Sequence, residues 1–190
     1  MFFLFLKIYL LHCLIVPLGA YFISKKENNY ITYSTQLIYG IILISFIALL
    51  INFFFPLKNV INSISILLLL IFMWKKLTSF FLQKEFYIFC FASTLIISIL
   101  IVGSNVYRPD AGLYHLPYIN ILNNEKIIIG LSNLHFRYAH TSILQHTSAI
   151  LNNFIISING IVLPSALIFS AVLINFISRT SSNLCDIKSL

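Results

Sequence analysis

From Gln36 to Pro56 the chain reads QLIYGIILISFIALLINFFFP, without one charged side chain. A helix needs about 20 such residues to cross a hydrocarbon core about 30 Å thick. Lipid offers no partner for backbone N–H and C=O groups, so a spanning segment must satisfy them within itself. Four more apolar runs flank this one: Met1 to Ser24, Val60 to Trp74, Phe86 to Gly103 and Phe154 to Ser178. The chain is 59% hydrophobic and only 9% charged, with a mean hydropathy of +0.96. Soluble domains carry about 25% charged residues, which excludes that class. The expected fold is all-α: a polytopic helical membrane protein with about five transmembrane helices, forming a single transmembrane domain over residues 1–190.

The runs differ in quality. Lys7 lies inside the first, which has no clear small-residue cleavage site and therefore reads as a retained span rather than a signal peptide. A polar first loop is expected from Lys25 to Thr35. The third run is short and carries Asn62, Ser63 and Ser65. The fifth is interrupted by Asn159, Gly160 and Pro164, a pattern of broken helices that also lines transport sites.

The net charge of +7 does not point to nucleic acid, because the basic residues punctuate the apolar runs instead of clustering. With the N-terminus outside, Lys25, Lys26, Lys75, Lys76, Lys84, Arg179 and Lys188 fall on the cytoplasmic side. Lys58, Arg108, Lys126 and Arg137 fall opposite. This distribution favours an extracytoplasmic placement of the polar segment 104–147, with short interfacial helices inside it. Cysteines 13, 90 and 185 show neither CxxC spacing nor a disulfide frame.

Groups that can ionise or hold anions concentrate in that polar segment: Arg108, Asp110, Glu125, Lys126, Arg137 and four histidines, His115, His135, His140 and His146. The histidine spacings match no helical metal motif, and no metal or cofactor is expected. Asp110 reads either as a helix N-cap or as a carboxylate general base at the membrane surface, and one residue can be both. On a helix, Tyr114 lies one turn after Asp110, with His115 beside it. Pro117 argues against a simple long helix. Glu125 reads as a solvated turn charge. Arg137 suits phosphate because its planar fork makes two parallel bonds, and a lipid headgroup would serve it equally well.

Asp110, the run Tyr114-His115-Leu116-Pro117 and the run Gly130-Leu131-Ser132-Asn133-Leu134-His135-Phe136-Arg137 resemble a block in uncharacterised bacterial polytopic membrane proteins. Those proteins are similar to the GT-C superfamily of membrane glycosyltransferases. The resemblance implies a plasma-membrane enzyme that moves a sugar from a polyprenyl-phosphate carrier to a hydroxyl acceptor outside the cytoplasm. Asp110 would then deprotonate the acceptor. From charge, Arg137 would stabilise the phosphate leaving group and His115 would orient the acceptor or Asp110; Arg108 and Tyr114 complete the candidate binding set. The chain departs from the GT-C pattern in having no second acidic residue close to Asp110 and fewer spans. This implies the N-terminal part of a larger fold, completed by a downstream polypeptide. Other readings stay open: a transporter, a subunit that binds membrane lipid or carrier lipid, a polysaccharide polymerase, or an inactive truncated remnant.

Overall fold

The computed structural model describes residues 2–24, 29–103, 113, 115–134, 136–140, 142–154, 156 and 160–188. Everything regular among them is helical. The α-helices are α1 (Phe2–Gly19), α2 (Asn29–Phe54), α3 (Asn59–Phe72), α4 (Trp74–Phe80), α5 (Lys84–Gly103), α6 (Leu116–Asn124), α7 (Ile143–Leu151) and α8 (Leu163–Lys188). Two short 3₁₀ turns, Leu131–Asn133 and Phe136–His140, lie between α6 and α7.

Two helices are long and apolar enough to cross a membrane, α2 and, within α8, Leu163–Ser181. A third crossing is available if α3 and α4, bent by 67° at their junction, act as one span. α1 is apolar but shorter. The chain is therefore an all-helical protein with two or three helices of membrane-spanning length and composition among the described residues.

Two boundaries differ from the sequence expectation, each for a local reason. α2 begins at Asn29, inside the stretch expected to be loop. Ser34 and Thr35 donate to the carbonyls of Tyr30 and Ile31, each at 2.8 Å, so their hydroxyls are satisfied on the helix itself. The fifth apolar run does not start a helix at Phe154; α8 begins at Leu163 and continues to Lys188. Pro164 sits in its first turn, where a missing N–H breaks no bond. Pro117 lies in the first turn of the nine-residue α6, in keeping with the expectation that it does not sit inside a long helix.

The chain divides into two compact units. The first comprises Met1–Ile41, Leu70–Val102 and Ser165–Leu190; the second comprises Ile42–Leu69 and Gly103–Pro164.

In the first unit α1 packs antiparallel against the start of α2, with Gly19 facing Gln36 and Gly40 facing Ile15. A Cβ on Gly40 would stand 2.2 Å from the Ile15 carbonyl oxygen, so only glycine permits this approach. Small residues at contacts let helix backbones come close and pack by dispersion. Tyr33, Phe80, Phe86 and Phe89 form a buried aromatic cluster, and the Tyr33 hydroxyl donates to Gln83 Oε1 at 2.7 Å. Lys76 donates to the Ala20 carbonyl at 2.6 Å, just past the end of α1, and lies 4.0 Å from the Tyr21 ring centroid. Those carbonyls have no partner within the helix and form the negative end of its dipole.

A polar chain links α1, α5 and α8. His12 donates from Nδ1 to the Ile8 carbonyl at 2.9 Å, which leaves Nε2 to accept from Ser93 at 2.6 Å. Ser93 in turn lies 2.7 Å from Ser170, whose hydroxyl also reaches the Leu167 carbonyl. All three side chains are fully buried.

Candidate functional site

The second unit holds the segment where the sequence concentrates its chemistry, and its architecture follows from an unusual need. α6 and α7 are short helices whose C-terminal turns end against other chain segments. The last carbonyls of a helix have no partner within it, and a buried carbonyl left bare costs about 1–3 kcal/mol. Asparagines on the longer helices supply the donors.

Asn52, near the end of α2, donates to the carbonyls of Leu122 and Glu125 at 3.3 and 3.1 Å. Asn62, in the first turn of α3, donates to those of Leu57, Ala149 and Asn152 at 2.7, 2.9 and 3.2 Å. Both side chains are fully buried. Asn123 at the end of α6 reaches two of the same oxygens, Leu57 at 2.6 Å and Ala149 at 3.0 Å. Its own Oδ1 accepts from Asn152 at 3.0 Å. Backbone bonds complete the clamp: Leu57 donates to Leu122 and Ile127 to Asn52. Ser45 on α2 also pairs with Thr147 on α7.

The N-terminal end of α7 is fixed as firmly. Ser142 caps it with a full capping box, its hydroxyl accepting from Leu144 and its amide donating to Gln145 Oε1 at 3.0 Å. Gln145 then spends its Nε2 on His115 Nδ1, 3.3 Å away. A neutral His115 ring that accepts at Nδ1 carries its proton on Nε2. His115 itself stands at the N-cap of α6, exposed.

The sequence-derived candidates fare unevenly. Arg108, Asp110 and Tyr114 lie outside the described residues, so only His115 of the supposed catalytic pair has a described setting. Arg137 falls in the Phe136–His140 turn, and its side chain too is outside the described set. The next residue, Tyr138, lays its ring 5.8 Å from that of Tyr118, which ties this turn to α6. The turn Leu131–Asn133 opens at Gly130, whose φ of 84° is a left-handed conformation that favours glycine. Glu125 is exposed at the end of α6, in keeping with a solvated charge. His146 is buried on α7, and neither ring nitrogen finds a hydrogen-bond partner among the described residues. Burial holds it below the ordinary histidine pKa, hence neutral at pH 7. No cluster of three His, Cys, Asp or Glu side chains suited to a metal occurs among the described residues.

A domain-of-unknown-function model, DUF8201, matches residues 1–188. The chain belongs to the DUF8201 family. No curated protein and no solved structure matches it.

The second unit of this DUF8201 chain also carries a polar groove of about 380 Å³. Its lining joins Lys58 and Asn59 at the start of α3, Asn120, Asn123 and Asn124 on α6, and Asn152 after α7. Sequence reading puts Lys58 on the same side as the segment 104–147 and singles out none of these asparagines as a candidate. It missed that helix ends bring them together. One signal was available: Asn52 and Asn62 lie in apolar runs, and an amide in such a run needs a partner.

Proposed function

We propose that this DUF8201 chain is a membrane glycosyltransferase-like protein, moving a sugar from a polyprenyl-phosphate carrier to a hydroxyl acceptor on the extracytoplasmic side. Five membrane-crossing segments, α1, α2, α3 with α4, α5 and α8, would place residues 104–147 on that side, in agreement with the lysine and arginine distribution. Exposed Ile129, Leu134 and Phe136 would then lie at the lipid surface.

The observation that carries the reading is the asparagine clamp. It turns what the sequence presents as a long polar loop into a held platform, with His115 fixed at the start of α6 by the same glutamine that caps α7. A reacting pair gains rate from being positioned, and a site on clamped helices keeps its geometry better than one on a free loop. In this reading Asp110 removes the acceptor proton as the hydroxyl oxygen displaces the carrier phosphate at the anomeric carbon. Arg137 and Arg108 receive the phosphate charge, while His115 and Tyr114 orient the acceptor.

The test is transfer of labelled sugar from polyprenyl-phosphate donors to hydroxyl acceptors in reconstituted vesicles. Asp110→Asn should lower the rate by about 10²–10⁴ while the protein still inserts and keeps its helical circular dichroism. Unchanged transfer in that variant would remove Asp110 from the chemistry.

A further inference from the structure

The groove beside the clamp combines features that the fold does not need. Asn123 and Asn152 are occupied internally, with the Asn123 amide fixed between two carbonyls and its oxygen taken by Asn152. The rest of the lining is not consumed this way. Asn124 donates to the carbonyl and Oδ1 of Asn120 at 2.8 and 3.0 Å, which leaves Asn124 Oδ1 as an acceptor and Asn120 Nδ2 as a donor group, neither used by the fold among the described residues. Asn59 and Lys58 are exposed at the head of α3, and no side-chain bond engages them among the described residues. Among the described residues no carboxylate lines the groove to neutralise Lys58, Val60 is its one apolar lining side chain, and no aromatic ring lines it.

This is a surface built to meet hydroxyl groups and one negative charge. A primary amide presents a donor and an acceptor in one plane, as adjacent sugar hydroxyls do. An ammonium without a counter-charge attracts phosphate or carboxylate. A lipid tail would find almost no apolar wall here.

We infer that the groove formed by Lys58, Asn59, Asn120 and Asn124 binds an anionic saccharide, Lys58 holding the phosphate or carboxylate and the amides holding ring hydroxyls. The inference rests on the glycosyl-transfer reading only for the origin of its ligand, the headgroup of a lipid-linked sugar or a free sugar phosphate. The groove's chemistry stands without that reading.

Calorimetric titration of the full chain in lipid nanodiscs tests it, with glucose 1-phosphate, glucose, inorganic phosphate and a short-chain polyprenyl-phosphoglucose as probes. The expected result is binding of at least one of the two sugar phosphates, with glucose and phosphate each much weaker. Lys58→Gln should weaken that binding about tenfold or more; Asn59→Ala and Asn124→Ala should each weaken it about three- to tenfold. All three positions are exposed, so the fold should survive, and Asn59→Asp provides a second check by repelling the anion beside Lys58. Binding of the lipid-linked probe alone assigns the groove to a carrier headgroup; binding of both assigns it to the shared sugar-phosphate group. Equal binding of inorganic phosphate, no binding of either sugar phosphate, or binding untouched by the variants overturns the inference. Measured transfer in a chain whose sugar-phosphate binding is untouched by Lys58→Gln and Asn124→Ala would reject the groove and spare the transferase. Binding without transfer would do the reverse.

Discussion

The two units solve the same problem, polar groups away from water, in opposite ways. In the first, His12, Ser93 and Ser170 pair side chain to side chain across long helices. In the second, Asn52, Asn62 and Asn123 pair side chain to backbone at the ends of short ones. The cause is helix length. A long helix satisfies its own backbone, so its polar side chains must find one another. A short helix ends inside the structure and leaves carbonyls that only an external donor can reach. The first arrangement ties helices together; the second makes it possible for a polar segment to be folded at all.

The sharpest test of this contrast is redundancy in the second unit. Asn62 and Asn123 both donate to Leu57 and Ala149. Either can therefore cover for the other, and Asn62→Leu alone should cost only about 2 kcal/mol. The loss is softened because Asn62 Oδ1, buried without a partner among the described residues, goes with it. Removing both amides leaves the two carbonyls bare. The double variant Asn62→Leu/Asn123→Leu should exceed the sum of the singles by about 1 kcal/mol or more, read as a double-mutant cycle from denaturant unfolding in micelles. Simple additivity would mean that the two amides do not share their acceptors in solution.

This clamp also marks where the sequence stops being legible. The all-helical class and a helix of membrane-spanning length could be read directly, because an uncharged run such as Gln36–Pro56 has few other fates. Helix starts were harder. Ser34 and Thr35 look like loop but bond back to their own helix, and Pro164 looks like a break but stands in a first turn. The partners of Asn62 could not be read at all, since Ala149 lies 87 residues away and a backbone carbonyl has no signature in sequence. The candidate site was half visible for the same reason. Its ionisable residues announce themselves by type, whereas the groove of Lys58 and the asparagines exists only once helix ends are brought together.

A smaller effect is expected from the first unit. Ser93→Ala removes the hydroxyl between His12 and Ser170, which serves no backbone group among the described residues. The cost should be near the average for hydrogen bonds between membrane helices, about 0.6 kcal/mol, measured by the same unfolding assay. A loss as large as that of the paired asparagine variant would erase the distinction between the two units.

The least conspicuous difference concerns histidine. His12 is buried with both ring nitrogens bonded, whereas His146 is buried with neither bonded among the described residues. Burial depresses the His146 pKa in the folded state, while the unfolded chain keeps a value of about 6.5. Between those two values the unfolded state binds the extra proton, so stability rises with pH across that window. The contribution is fully present above the unfolded pKa and is lost as pH falls through the window toward the folded one. Unfolding midpoints compared from pH about 7.5 down to about 5 should therefore decline more steeply for the natural chain than for His146→Gln, whose side chain does not titrate. Parallel curves would mean that protonated His146 finds a partner or water in the folded state, and that the second unit is less tightly closed around α7 than its clamp requires.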